Sequence, residues 1–226
     1  MNRVLIISAH PDDETLGCGG LISKYIKSFD AVRVLILGEG SSCRYSAIES
    51  QESISDIKIR KNSAKKAMSV LGVNELVTND LPCGRFNIIP MLEINKLIEE
   101  QIKDFKPDTI FTHAESDLNN DHIIVNKASL IASRPGIYPF LKNVISYEVL
   151  SSSEWSFTNH FSPNYFESLS DENIKNKWDA LSCYDSETRE FPFPRSREGL
   201  FNQAMNRGMQ SGCKFAEAFS IIRSVK

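Results

Sequence analysis

Three things are scarce in this chain of 226 residues, and each scarcity closes off a class of protein. Cysteine is one. The five present (Cys18, Cys43, Cys83, Cys183 and Cys213) are odd in number, widely spaced and nowhere arranged C-x-x-C, which argues against a disulfide framework and against a thiolate zinc site. They read as small core or surface residues, and any bound metal has to be held by imidazole and carboxylate. Positive charge is the second: 26 Lys and Arg are spread along the chain against 29 Asp and Glu, giving a formal net charge of -3. A duplex nucleic acid partner normally leaves a basic footprint, so none is expected. Long apolar runs are the third. No stretch approaches the ~20 residues of a membrane span, and the N-terminal "VLIIS" is far too short for the core of a signal peptide. A cytoplasmic setting is the resulting expectation.

What is present reads as one α/β domain covering residues 1–226, since 41% hydrophobic and 24% charged residues are ordinary globular usage and the length suits a single core. Apolar, β-branched runs ("RVLIIS", "AVRVLILG", "ELVTND", "DTIFTH", "NVISYEVL") alternate with helical patterns at Leu16 to Phe29, Ser46 to Leu71, Pro90 to Phe105 and Asp121 to Ser133. That alternation predicts βαβ units and a Rossmann-like, mostly parallel sheet of order 3-2-1-4-5, with helices on both faces and a C-terminal extension. The extension is predicted to hold a helix from about Asp171 to Cys183, then an extended segment at "REFPFPRSREGLF", where proline alternates with phenylalanine.

In a sheet of that order the first and fourth strands are neighbours whose connections leave in opposite directions, and ligands bind in the crevice outside their carboxyl ends. The first strand runs into "SAHPDDETLGCGG" and the fourth into "FTHAESDLNNDH". Two polar clusters, distant in sequence, therefore face one crevice. Taken alone, the His-Pro-Asp-Asp turn would read equally well as a helix start with Asp13 as its N-cap. The second cluster turns the balance toward a metal site. His10 and Asp13 can reach one ion from a turn stiffened by Pro11, and His122 supplies a third ligand. Two imidazoles and one carboxylate with an open fourth position form the usual catalytic pattern for zinc, and ferrous iron suits the same ligands. Asp12 is then free to act as general base. Glu14 and Asp121 are expected to orient the ligating imidazoles. "GCGG" is no dinucleotide fingerprint, and its glycines are expected to let the helix start pack closely beneath the site.

With these residues in view, "AHPDDE" and the distal "DLNNDH" resemble the PIG-L/LmbE-like family of zinc-dependent N-deacetylases, over nearly the whole chain. The resemblance implies a Rossmann-like fold and removal of acetyl from N-acetylglucosamine-type substrates, with His10, Asp13 and His122 as zinc ligands and Asp12 as base. One position departs from it. The family's second motif is H-x-x-H, and here the first histidine is replaced by Asn119. In the family that histidine assists the tetrahedral intermediate. An amide can donate a hydrogen bond to an oxyanion but delivers no proton, which leaves protonated Asp12 or His113 for that role.

The C-terminal segments "SPNYF", "FPFPRSREGL", "NRGMQSG" and "FAEAF" resemble a subgroup associated with bacterial polysaccharide and sugar-nucleotide pathways. Arg44, Arg195, Arg197 and Arg207 are candidates to bind a phosphate or sugar acid, with surface pairing, for instance to Glu217, as the alternative. The expected partner is thus a small N-acetylated sugar or sugar nucleotide, and a homo-oligomer is compatible with the sequence. The competing readings are a metal-dependent hydrolase of a non-sugar amide or ester, and a non-catalytic sugar-binding protein with a degenerate site.

Overall fold

The run "RVLIIS" forms β1 (Arg3–Ser8), whose residues beyond Arg3 are all buried. A strand buried on both faces carries no polar alternation, which is why the run is continuously apolar. Its side chains still divide by face: Val4 and Ile6 join one hydrophobic core, Leu5 and Ile7 the other. The computed structural model describes residues 2–28 and 30–226. Phe29, expected as the last residue of the first helix, lies outside the described residues.

Five strands match the expected runs: β1, β2 (Ala31–Gly38), β3 (Glu75–Leu81), β4 (Thr109–His113) and β5 (Asn143–Tyr147). All their pairings are parallel, in the order β3-β2-β1-β4-β5. Helix α1 (Asp13–Lys27) follows β1, α2 (Gln51–Leu71) follows β2, α3 (Met91–Phe105) follows β3 and α4 (Asn120–Ala132) follows β4. One core gathers Leu16, Leu21, Ala64 and Met68 of α1 and α2 over one face of the sheet. The other gathers Ile94, Ile98, Ile102 and Val125 of α3 and α4 over the opposite face. Helices α1 and α4 thus leave adjacent strands on opposite faces, and this opens the crevice at the carboxyl ends of β1 and β4.

Helix starts differ from the sequence reading where a cap decides them. Helix α2 begins at Gln51 rather than Ser46, because the Ser50 side chain accepts from the Ser53 N–H. Helix α1 begins at Asp13 rather than Leu16. Its N-cap is Asp12, not Asp13, and the Asp12 side chain makes no capping bond.

The C-terminal extension is more regular than expected. It contains β6 (Tyr165–Leu169), α5 (Asp171–Leu181), α6 (Arg197–Ser211) and β7 (Phe215–Ser224). Strand β7 pairs antiparallel with β5 and β6 pairs antiparallel with β7, lengthening the sheet to β3-β2-β1-β4-β5-β7-β6 among the described residues. The segment "REFPFPRSREGLF" is not extended as predicted: the Phe193 N–H donates to the Glu190 carbonyl at 3.1 Å and the Ser196 N–H to the Phe193 carbonyl at 3.0 Å, so it runs in successive turns to Ser196, whose side chain accepts from Gly199 N–H and starts α6. Glu217 of β7 is no arginine partner. Its carboxylate accepts from the N–H groups of Gly20 and Leu21 at 2.8 and 2.7 Å and from Lys177 Nζ at 2.7 Å, pinning the extension to α1.

Close packing under the crevice depends on Gly17. A Cβ there would lie 2.2 Å from the Tyr147 ring. That ring is fully buried, and its hydroxyl donates to the Ile7 carbonyl at 2.8 Å. Gly17→Ala is therefore expected to destabilise the fold by about 1–3 kcal/mol, the usual cost of overpacking. Chemical denaturation checks this, and unchanged stability would mean that the helix and the ring are not in tight contact.

Candidate metal and catalytic site

The turn after β1 holds Asp13 in place through its own backbone: the His10 N–H donates to Asp13 Oδ2 at 2.8 Å. The same oxygen lies 3.5 Å from His10 Nδ1 and 3.3 Å from His122 Nε2. His122 comes from the first turn of α4, so β1 and β4 deliver the two halves of the cluster across the crevice. One ligand atom from each of His10, Asp13 and His122 lies within 4.8 Å of the others, and all three residues are buried. His122 Nε2 has no hydrogen-bond partner among the described residues, since its approach to Asp13 is close but badly aligned. A buried imidazole nitrogen without a partner, beside a carboxylate and a second imidazole, is a donor set that fits a divalent zinc or iron ion. Burial disfavours charge on both rings, yet Asp121 and Asp13 raise His10 to about 9, and Asp13 and Asp117 raise His122 to about 10. Asp13 is held well below the usual carboxylate range: burial works against its charge and His122, His113 and His10 outweigh it.

Around this core sit the groups that aim it. His10 Nε2 lies 2.9 Å from Asp121 Oδ2, and Asp121 also accepts from the N–H groups of Gly84 and Phe86 at 2.6 and 3.1 Å. Asp121 thus holds one of the two imidazoles through its Nε2. The other is faced by Asp117, with Oδ1 3.2 Å from His122 Nδ1; this residue was not singled out from the sequence. Asp117 is anchored by the hydroxyls of Ser152 and Ser153. Asn119 caps α4, its Oδ1 accepting from the Asp121 N–H at 2.9 Å. Since the cap occupies the oxygen, the amide that lines the cavity is left with its Nδ2 as donor.

His113 does not face that cavity. It is fully buried behind His122, the rings stacked 4.0 Å apart, and its Nε2 accepts from the Ala9 N–H at 2.9 Å. Burial, with His122 alongside, lowers it to about 3. A neutral ring whose Nε2 is already an acceptor has no proton to give there, which corrects the expectation that His113 replaces the missing histidine as donor.

Comparison with known proteins gives the same grouping. The family model for GlcNAc-PI de-N-acetylase, PIG-L, matches residues 5–133, more than half of the chain, a span that includes His10, Asp12, Asp13, Asp117, Asn119, Asp121 and His122. The chain belongs to the PIG-L family. An Escherichia coli K12 protein named as an uncharacterized deacetylase, YaiS, is 26% identical over 191 residues, covering 81% of this chain and 90% of that protein. The N,N'-diacetylchitobiose deacetylase of Pyrococcus horikoshii shares the fold with a TM-score of 0.76 at 19% identity, covering 98% of this chain and 84% of that one. So does the 4-carboxy-2-hydroxymuconate hydratase GalB of Pseudomonas putida, with a TM-score of 0.76 at 19% identity over 100% and 98% of the two chains. A deacetylase and a hydratase on one fold mean that the reaction has to be argued from the site.

Outside the ligand set, this PIG-L domain surrounds Asp12 with arginines. Asp12 is 2% exposed and adopts φ 113°, ψ -30°, a left-handed backbone that residues other than glycine seldom take. Its Oδ2 lies 2.7 Å from Arg195 Nη1 and 3.3 Å from Arg60 Nη2. Burial pushes the Asp12 carboxyl up; Arg195 and Arg60 oppose this without cancelling it. Arg195, expected to bind substrate, thus first serves Asp12, and it also reaches Ser151 Oγ at 2.5 Å. Arg60, on the buried face of α2, was missed in the sequence. So was Glu187, which pairs with Arg44, Arg60 and Arg195 together. A lysine–arginine-rich helix such as α2 reads as solvated, and only tertiary packing turns Arg60 inward.

Glu14 does not orient an imidazole. It accepts from the Asp12 N–H at 3.0 Å, Thr15 Oγ1 at 2.7 Å and Tyr184 Oη at 2.7 Å, beneath the turn, and burial pushes it up to about 7. Arg197 is absent from the site: it begins α6 and lies over the Phe201 ring, 4.8 Å from its centroid. Arg207 pairs with Glu148 at 2.6 Å, also away from the metal cluster. Cys43 and Cys83, read as unremarkable, both line the cavity beside His10.

The cavity over the cluster measures about 180 Å³ and shares Arg44, Ser151, Glu187 and Arg195 with a wider one of about 390 Å³ that adds Trp155, Arg189 and Phe193. Glu187 holds the arginines between them. Despite its burial, Arg60 and Arg44 bring Glu187 from 4.5 down to about 2. A depressed folded pKa contributes stability that is complete above pH 4.5 and lost as pH falls toward 2. Glu187→Gln should therefore flatten this acid limb, removing up to about 3 kcal/mol of pH-dependent stability at ~1.4 kcal/mol per pH unit. Denaturation of both proteins at pH 5 and below checks it, and parallel curves would deny Glu187 that role.

Proposed function

We propose that this chain is a metal-dependent hydrolase that removes the N-acetyl group from an N-acetylated amino sugar or sugar nucleotide. The observation that carries the reading is the division of labour in one turn: Asp13 lies among the imidazoles, while Asp12, in the same cavity, stands outside the ligand set and faces two arginines. His10, Asp13 and His122 would hold zinc, or ferrous iron. A divalent ion there supplies Lewis-acid polarisation of the acyl oxygen and acidifies water.

The chain's own groups do the remaining work. Asp12 accepts the proton from water as it attacks the acyl carbon; burial raises its basicity, and Arg195 and Arg60 temper that rise. Asn119 Nδ2 donates to the oxyanion as it forms. Protonated Asp12 then returns the proton to the leaving amine, since His113 is turned away. Asp121 accepts from the His10 ring, and Asp117 faces the His122 ring with Oδ1 3.2 Å from Nδ1. Arg44 and Arg195 flank the mouth, where Trp155 and Phe193 add apolar lining for a sugar and the guanidinium groups suit an acidic substituent. We assign the reaction to the cytoplasm because the five cysteines are odd in number and widely spaced, unlike the disulfide framework of a secreted domain; among the described residues no helix is long and apolar enough to cross a membrane.

Acetate release measured across N-acetylated sugars, sugar nucleotides and non-sugar amides tests the reading. Turnover is expected on the sugars, to vanish with a chelator and to return with zinc or ferrous iron. Asp12→Asn is expected to bind metal as the parent does and to release acetate about 10²–10⁴-fold more slowly. Turnover in metal-free protein, or near-normal turnover by that variant, would sink the mechanism.

A further inference from the structure

We propose that Cys43 and Cys83 form a reversible dithiol–disulfide site in the wall of the metal cavity, oxidised by low-molecular-weight disulfides of the glutathione type. The two residues are 40 positions apart, yet the Cys83 thiol donates to Cys43 Sγ across 3.2 Å. Both line the cavity that contains His10, Asp13 and His122. They reach it from two loops, one after β2 and one after β3, which a single buried carboxylate already joins. Glu39 accepts from the N–H groups of Ser41 and Ser42 in the first loop, at 2.5 and 3.0 Å, and from the Cys83 N–H in the second, at 2.8 Å. Gly84 lets the loops touch: at φ +73° it lies so near that a Cβ would be 3.0 Å from Cys43 Cβ. Forming a bond of about 2.05 Å from this separation asks for roughly 1 Å of sulfur travel.

Exposure sets the order of events. Cys43 is exposed and Cys83 is buried. The Cys43 thiolate attacks one sulfur of the external disulfide RSSR, forming Cys43–S–S–R and releasing one thiol RSH. The Cys83 thiol, losing its proton to solvent, then attacks Cys43 Sγ; the mixed disulfide breaks and the second R–S⁻ leaves and is protonated. In sum, two protein thiols and RSSR become one protein disulfide and two RSH, and excess external thiol reverses both steps. The bond would tie the rim loop to the segment whose Gly84 and Phe86 N–H groups hold Asp121, the partner of His10. The remaining cysteines lack this arrangement: Cys18 is buried, Cys183 Sγ faces the Asp179 carbonyl, and exposed Cys213 faces only the Ser211 carbonyl. Cys213 is thus an internal control for simple accessibility.

The test is peptide mass mapping of the full chain after incubation with oxidised glutathione, and it needs no catalytic activity. The wild-type protein is expected to yield a Cys43–Cys83 linked peptide lacking two hydrogens, a glutathione adduct at Cys213, and neither after dithiothreitol. In Cys83→Ser the adduct at Cys43 is expected to persist, because nothing resolves it. The proposal fails if wild-type Cys43 keeps a stable adduct as Cys213 does, if Cys43 stays unmodified while Cys213 reacts, or if Cys43 links to a second chain instead of Cys83.

Discussion

One oxygen atom, Oδ2 of Asp13, is where the two halves of the crevice meet. It accepts the His10 N–H and lies within 3.5 Å of His10 Nδ1, His113 Nε2 and His122 Nε2, so one carboxylate draws groups from the ends of β1 and β4 and from the start of α4 to a single point. A buried charge of this kind is tolerable only with such partners. The strand order supplies them, because it makes β1 and β4 neighbours. Without that parallel pairing the HPDD turn would be an ordinary capped helix start.

The rest of the cavity consists of rings of paired charge around that point. Asp121 and Asp117 each face one imidazole, and each is itself held by backbone N–H or hydroxyl donors. A second ring, with Arg44, Arg60 and Arg195 converging on Glu187, surrounds Asp12. The two rings do different work. The first fixes direction, since an imidazole bound at one nitrogen presents the other along a set line. The second opposes the upward pull of burial on the Asp12 carboxyl.

The parts of this arrangement that were legible in the sequence are those set by local pattern. Apolar, β-branched runs marked the five parallel strands, and the clusters at their ends carried the residues that meet in the crevice, because "HPDDE" and "NNDH" each place their polar groups within a turn. Asn119 was recognised as the odd position, though not as the cap that frees its amide nitrogen. What stayed hidden depends on distant packing. Arg60 sits in a helix of lysines and serines, Glu187 in a loop with no periodicity, and Tyr184 and Glu217 meet α1 only after the extension has folded back. Strand β7 was missed because its "FAEAF" alternates alanine and phenylalanine around a buried glutamate, a charge that makes sense only against Lys177 and the α1 backbone. The pairing of Cys43 with Cys83 was invisible for the same reason, being set by Glu39 across two loops.

The backbone at Asp12 has a further meaning. Its φ of 113° belongs to territory where glycine rests at no cost and an aspartate does not. Here the fold spends stability to hold a carboxylate at one place in the cavity, and a single exchange for glycine would recover it while erasing the group. Selection for heat resistance alone would thus favour glycine over aspartate at this position.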